Sequence, residues 1–546
     1  MKTTRKLTTL LLALVMLFTL ALGASAATVT NNTSHPYKAY QIFKGTQADN
    51  SPALGDVEWG ADIDGTKFLA ALQADDRFKK DETNIFVSCT TAMDVASALA
   101  ANQDCANAFA NVAAANLKTD TTPTEIQANA TSVDLAAGYY LLVDSSTDVS
   151  SDAKNSALLQ VTNQGDIKID KKYSVPTPDK DITGVTHLGV DTDFTGAEAV
   201  DVEYGDTVEF TLTGTLPTNY DDYETYVYKF HDTLSTGLQY VANSAKVYVV
   251  NGETTTELTT GFTVSTTSCD DDDCNCNLLI SCADLKKVAS VTSTSTIKVV
   301  YSAKLLGTAT IGEPGNPNAM YIEYSNNPNQ TGDGDSETGH TPEDKVLVFT
   351  YELDVTKIDG KTLAEGETAT KLSGAEFVLL SSDKTKVAKV ENNKLTEWVD
   401  VPTGEATWDA ASKLTSGADG LFKIEGLDAG TYYLKEIKAP AGYNLLTEDV
   451  TIVISATITP ADGTEGTGDP TISSLKIKVD NGQETDGAKQ DGKYTGVLAA
   501  TVENNQGGTL PETGGVGTTM FYVIGGALVL AAVVLLVTKK RMTGVE

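Results

Sequence analysis

Six polar residues stand on strand faces that alternation otherwise fills with apolar side chains, and their types could do covalent chemistry. Side chains two apart on a strand share a face. Leu353, Val355 and Lys357 therefore align, as do Tyr432, Leu434 and Glu436, and Leu498, Ala500, Val502 and Asn504. A second set repeats the pattern: Lys180 lies between Pro178 and Ile182, Asp232 between Phe230 and Leu234, and Asn326 follows Ile322 and Tyr324. Each set holds one lysine, one carboxyl and one asparagine. A lone buried ammonium or carboxylate is costly. An apolar site favours a neutral lysine and a protonated carboxyl. The neutral amine can attack the asparagine side-chain carbonyl while the carboxyl polarises it and shuttles the proton. Ammonia leaves and a Lys–Asn isopeptide bond remains. The opposing reading places these side chains at strand ends, snorkelling into solvent, and alternation alone favours it.

The elements that would hold these residues are mainly β. Thr, Val, Tyr and Gly are plentiful, and helical periodicity is confined to alanine-rich stretches near Lys67–Phe78 and Thr91–Leu117. Ala39–Gly45 and the run Ala137–Val143 read as strands. The chain has 546 residues, too many for one core and suited to three domains. Its 40 basic against 74 acidic residues give a net charge of −34. That balance argues against nucleic acid, whose phosphates need Lys and Arg, and fits a soluble, extended surface protein. Met1–Ala26 reads as a secretory signal: Lys2, Arg5 and Lys6, an apolar run Leu10–Leu22, and the small-residue site Ala24-Ser25-Ala26. Export makes disulfides the default for the six cysteines. Cys89 and Cys105 would close a short ring worth about 3 kcal/mol. Cys269, Cys274, Cys276 and Cys282 would form two bridges of open connectivity. The rival for that cluster is a metal held by thiolates and aspartates, but its spacing is not that of a zinc ribbon and no histidine is near.

At the far end, Leu510-Pro511-Glu512-Thr513-Gly514 precedes an apolar run from Met520 to Val537 and the basic residues Lys539, Lys540 and Arg541. The run is about long enough for a thin bilayer, and the basic end fits the cytoplasmic side. This resembles the wall-sorting signal of Gram-positive surface proteins. The resemblance implies that a sortase cysteine attacks the Thr513 carbonyl, displaces Gly514, and passes the acyl group to an amine.

Further resemblances cover nearly all of the exported chain. VTKID, LKEIKAPAGY and VEN look like a collagen-adhesin B-type (Cna-B-like) domain. That likeness implies an immunoglobulin-like β-sandwich with a Lys357–Asn504 bond assisted by Glu436. DKDI, FHDTLS and YSNNP resemble the fimbrial isopeptide-forming domain, which implies Lys180, Asp232 and Asn326, with Asn327 a close rival. AYQIFKG with Trp59-Gly60 resembles the N-terminal domain of backbone pilins. The implied order is signal 1–26, N-terminal pilin domain 27–172 with added helices, isopeptide-forming domain 173–345, Cna-B-like domain 346–508 and sorting signal 509–546. As a whole it resembles a sortase-assembled backbone pilin. The resemblance implies pilus-type and housekeeping sortases, further copies of the chain, accessory pilins, peptidoglycan and host surface ligands as partners, and no cofactor or metal. Such pilins join the sorting threonine to a lysine in a YPK-type motif. Here Ile167-Lys168-Ile169-Asp170-Lys171-Lys172 stands in its place, with Asp and Lys where Tyr and Pro are expected. Lys172 is the expected acceptor and Lys171 its rival. No GxSxG or HExxH occurs, and the four histidines His35, His187, His231 and His340 accompany no nucleophile motif, so the chain is not read as an enzyme.

Overall fold

The computed structural model describes residues 26–542 apart from 48–52, 148, 155, 163–165, 172, 268–274, 329–336, 362–366, 404–407, 461–468 and 508–516. The signal segment up to 25 lies outside the described residues. The chain is mainly β, as its Thr, Val and Tyr content implies.

In the first unit, the sheet order is Leu54–Trp59, Tyr37–Gln47, Gly138–Asp144 and Ser156–Val161, with Thr124–Ile126 also on Tyr37–Gln47. A smaller sheet places Ala26–Asn31 between Ile167–Ile169 and Thr131–Ala136. Helices Gly65–Ala74, Ala92–Ala101 and Ala106–Ala115 cover one face of the larger sheet, where Phe43, Phe68, Phe86 and Phe109 share a core. The expected single helical stretch Thr91–Leu117 is two helices. Asn102 ends the first by folding its amide back onto the Ala98 carbonyl, and a 3-10 turn at Gln103–Cys105 separates them. Thr91 and Asp94 form a reciprocal capping box at the start of the first.

The second unit is a sandwich of two seven-stranded sheets. One has the order Val190–Ala197, Pro178–His187, Thr207–Thr215, Thr296–Leu305, Lys246–Asn251 and Thr254–Glu257. The other runs Ala199–Asp201, Asp344–Phe349, Asn316–Ser325, Tyr228–Leu234, Cys276–Cys282 and Thr263–Thr267. Asp344–Phe349 is hydrogen-bonded to both its neighbours in this sheet. The boundary expected at 345 therefore falls later, at Thr350. The closing strand of one domain runs straight into the opening strand of the next, Tyr351–Asp359, with no Gly or Pro to punctuate the change.

The third unit is built on an eleven-stranded sheet, with a separate two-stranded hairpin of Lys489–Gln490 and Lys493–Tyr494. Its first and last strands, Tyr351–Asp359 and Val497–Asn504, pair in parallel with Lys357 opposite Val502 and Asp359 opposite Asn504. Val355, Leu434, Ile452 and Val502 are all buried in the same core. Alternation along these strands is as expected: inward residues are buried and their neighbours are not.

Specific contacts lock the junctions. Asn326 donates to the Val149 carbonyl at 2.9 Å, and its own carbonyl accepts from Lys154 N at 2.6 Å, tying the first unit to the second. Glu203 accepts from Tyr432 and Trp398, each at 2.6 Å, tying the second to the third. Gly426 sits there at φ +91, and a Cβ on it would meet the Tyr204 ring at 2.1 Å, so only glycine fits. The C-terminal helix Gly517–Met542 contains the segment Met520–Lys540, long and apolar enough to cross a membrane.

Candidate functional site: two buried lysine–carboxyl–asparagine centres

In the third unit, Lys357, Glu436 and Asn504 meet. All three are buried, Lys357 and Asn504 fully, which rules out the snorkelling reading. The parallel register sets Lys357 one diagonal step from Asn504, and Glu436 comes from the strand Thr431–Lys438. Asn504 donates to Glu436 Oε2 at 2.9 Å and to the Asn444 carbonyl. Leu446 N donates to the same Oε2 at 2.8 Å. Lys357 Nζ donates to the Val502 carbonyl at 3.0 Å. Burial pushes the Lys357 amine down to about 8, against the opposing pull of Glu436 and Glu503. About a tenth of the amine is then neutral at pH 7, far more than for an exposed lysine. Asn504 Oδ1 and Glu436 Oε1 have no hydrogen-bond partner. Unpartnered buried oxygens are costly, and here they sit on the electrophile and on the group that would polarise it.

In the second unit, Lys180 comes from one sheet and Asp232 from the other. Their side chains are fully buried and lie 2.7 Å apart. Burial lowers the Lys180 pKa and raises that of Asp232, each opposed by the partner's charge. Both directions favour the uncharged pair.

Asn326 does not join this pair. In the antiparallel register Asp232 faces Met320, Leu234 faces Asn318 and Tyr228 faces Tyr324. Asn326 therefore lies six residues past the position opposite Asp232, about 20 Å away at a strand's rise of about 3.3 Å per residue. Its place is the junction with the first unit, and Asn327 is bound there too, to Glu337 at 2.8 Å. The asparagine beside the pair is Asn318, fully buried. It donates to the Tyr301 hydroxyl at 2.6 Å, and Tyr301 donates to Asp232 Oδ2 at 2.9 Å. Asn318 Oδ1 and Asp232 Oδ1 lack partners, as the corresponding atoms do in the third unit. The sequence carried a signal for Asn318, since it shares its face with Met320, Ile322 and Tyr324. Tyr301 carried none beyond its place on an apolar strand face.

Three cysteines depart from expectation, while Cys276 of the clustered four is disulfide-bonded as expected. Cys89, Cys105 and Cys282 are free and buried. Cys89 and Cys105 flank the helix Ala92–Ala101, which at about 1.5 Å per residue sets about 15 Å between its ends, whereas a disulfide holds its Cα atoms within about 7 Å. Cys282 closes the strand that Cys276 opens, about 20 Å away along it, and burial pushes its thiol up to about 11. Cys269 and Cys274 lie outside the described residues, as do Lys172 and the motif Leu510, Pro511, Glu512, Thr513 and Gly514. Lys171 is described: its Nζ lies 3.0 Å from Asp152 and 4.5 Å from the Tyr173 ring centre. His231, next to Asp232, faces the other way and pairs with Glu323 at 2.7 Å.

Residues 352–464 match the SpaA prealbumin-like fold domain, and residues 502–542 match the LPXTG cell wall anchor motif. Over 291 residues the chain is 26% identical to the trypsin-resistant surface T6 protein of Streptococcus pyogenes serotype M6, a match covering 44% of this chain and 48% of that protein. The chain thus spans about half the length of that curated relative. The T6 backbone pilin structure from the same serotype, a modular three-domain protein, superposes with a TM-score of 0.51 at 18% identity, covering 90% of this chain and all of that one. The full-length major pilin SpaD of Corynebacterium diphtheriae gives 0.43 at 17%, covering 89% and 98%. With a prealbumin-like domain and an LPXTG cell wall anchor motif ahead of an apolar helix, the chain is a cell-wall-anchored surface protein whose mainly β fold resembles that of the T6 backbone pilin.

Proposed function

We propose that the chain is the structural major subunit of a surface pilus, stapled internally by self-formed Lys–Asn bonds. The observation that carries this reading is the dry third-unit centre, where an amine lowered to about 8 sits among Asn504 and Glu436. Neutral Lys357 attacks Asn504 Cγ, and Glu436 polarises Oδ1 and moves the proton. Ammonia departs and an amide remains. Lys180 does the same to Asn318 with Asp232. Each reaction happens once per molecule and acts only on the chain itself, so no turnover is involved. A sortase joins Thr513 of one subunit to Lys172 of the next, and a housekeeping sortase finally fixes the polymer to peptidoglycan.

Intact mass of the recombinant ectodomain tests the internal chemistry. The mass falls short of the sequence value by two ammonias, and Asp232→Ala and Glu436→Ala each restore one. A wild-type mass with no shortfall refutes it.

A further inference from the structure

Lys180 loses a proton when it becomes an amide nitrogen, and Asn318 Nδ2 must gain one to leave as ammonia. In the third unit the carboxyl stands at the leaving group: Glu436 Oε2 accepts from the leaving nitrogen of Asn504 at 2.9 Å. In the second unit the carboxyl is aspartate, one methylene shorter, and its contact is with the nucleophile, Lys180 Nζ, at 2.7 Å. The leaving nitrogen of Asn318 bonds instead to Tyr301, at 2.6 Å, and Tyr301 bonds to the same Asp232 Oδ2 at 2.9 Å. Lys180 Nζ also lies 3.4 Å from the Tyr301 oxygen. Four atoms thus form a continuous line: Lys180 Nζ, Asp232 Oδ2, Tyr301 Oη and Asn318 Nδ2.

We propose that Tyr301 is a catalytic residue of the second unit, relaying the proton from Asp232 to the departing nitrogen of Asn318; this rests on the Lys180–Asn318 reading above. Attack by Lys180 on Asn318 Cγ forms the new C–N bond and ends the amide resonance, so Nδ2 acquires a basic lone pair. The hydrogen bond between Nδ2 and Tyr301 then reverses. Lys180 gives one proton to Asp232, Asp232 gives one to the Tyr301 oxygen, and Tyr301 gives its own to Nδ2. The C–N bond to Nδ2 breaks and ammonia leaves. Asp232 and Tyr301 end as they began, and no outside reactant is needed. Packing holds the ring in position for the transfer. Tyr301 is buried and stacked on Phe210, its cross-strand partner, with centroids 5.4 Å apart. Burial and the neighbouring Asp232 raise its pKa, which keeps the phenol protonated.

The test follows bond closure in freshly synthesised full ectodomain, read by ammonia loss and by the cross-linked Lys180–Asn318 peptide. Tyr301→Phe closes the second-unit bond roughly a hundredfold more slowly, in line with the usual worth of a positioned proton donor, while the Lys357–Asn504 bond forms at the wild-type rate. Asp232→Glu restores closure in the Tyr301→Phe background, because glutamate reaches Nδ2 directly. A wild-type rate in Tyr301→Phe overturns the relay. If Tyr301→Phe fails to fold, 3-fluorotyrosine placed at position 301 keeps the packing and acidifies the phenol; a changed closure rate supports the relay and an unchanged rate overturns it. A wild-type protein with no 180–318 cross-link refutes the underlying reading instead, and the relay falls with it.

Discussion

At the scale of single residues, burial in the two centres pushes Lys357, Lys180 and Asp232 toward their uncharged forms. Lys357 makes this measurable. Asn504→Ala leaves its amine unbonded, with a folded pKa of about 8 against about 10.4 in the unfolded chain. Between those values the unfolded chain holds the proton that the folded chain has lost. Stability of Asn504→Ala therefore rises with pH across that window, by up to about 3 kcal/mol, and is lowest below it. Urea unfolding at neutral pH and near pH 10, with Lys357→Met/Asn504→Ala as reference, measures the difference; equal curves refute a buried amine. The second unit offers a sharper discrimination. Asn318→Ala retains one ammonia in the intact mass, and Asn326→Ala loses both as the wild type does. The reverse result would restore the sequence-based choice. That choice shows what alternation can and cannot say. It places Asn318 and Asn326 on one inward face, and both are buried, but it gives no height along the strand. Height comes from the register with Tyr228–Leu234, which is set by long-range pairing. In the third unit both lysine and asparagine lie near strand ends that pair with each other, so face and height were legible together.

At the scale of elements, each bond would fasten parts of the chain that hydrogen bonds hold only locally. Lys357–Asn504 would join the first and last strands of the third unit, already paired in parallel. Lys180–Asn318 would join the two sheets of the second sandwich. By analogy with disulfides, closing the loops 357 to 504 and 180 to 318 removes about 5 kcal/mol of unfolded-state freedom each. At roughly 2–4 °C per kcal/mol for domains of this size, Asn504→Ala should lower the melting temperature of the third unit by about 10–20 °C. Calorimetry of the ectodomain would show that transition separating from the rest, and an unmoved transition would mean that the bond contributes nothing. Strand existence and facing were readable because apolar alternation is local. Pairing order was not, and neither was the end of the second domain, where Asp344–Phe349 and Tyr351–Asp359 follow with only Thr350 between them. Cys89, Cys105 and Cys282 misled for a related reason: export makes pairing the default, yet these three are free and buried, whereas Cys276 is bridged.

At the scale of the whole molecule, the proposed polymer raises the question of which amine would receive Thr513 of a neighbouring subunit. An acceptor has to enter another protein's cleft, so it needs a free, reachable ammonium. Lys180 and Lys357 are buried in their own centres. Lys171 is partly exposed, but its ammonium is held between Asp152 and the Tyr173 ring, and reaching a thioester would mean giving up both. Lys168 is exposed, yet its strand Ile167–Ile169 is paired along Ala26–Asn31, which restrains its backbone. Lys172 comes after that strand in sequence and before Pro178, where the next sheet begins. A linkage there puts the acceptor at the junction of the first and second units and the donor after the third, so successive subunits would add head to tail. Lys172→Ala should collapse the high-mass ladder in wall extracts to monomer, with export and both internal bonds intact by mass. Lys171→Ala should leave the ladder in place. A ladder that survives Lys172→Ala but is lost with Lys171→Ala would show that the pair with Asp152 opens during assembly. A single wall-linked band in the wild type would mean a monomeric adhesin, and survival of the double substitution would move the acceptor elsewhere.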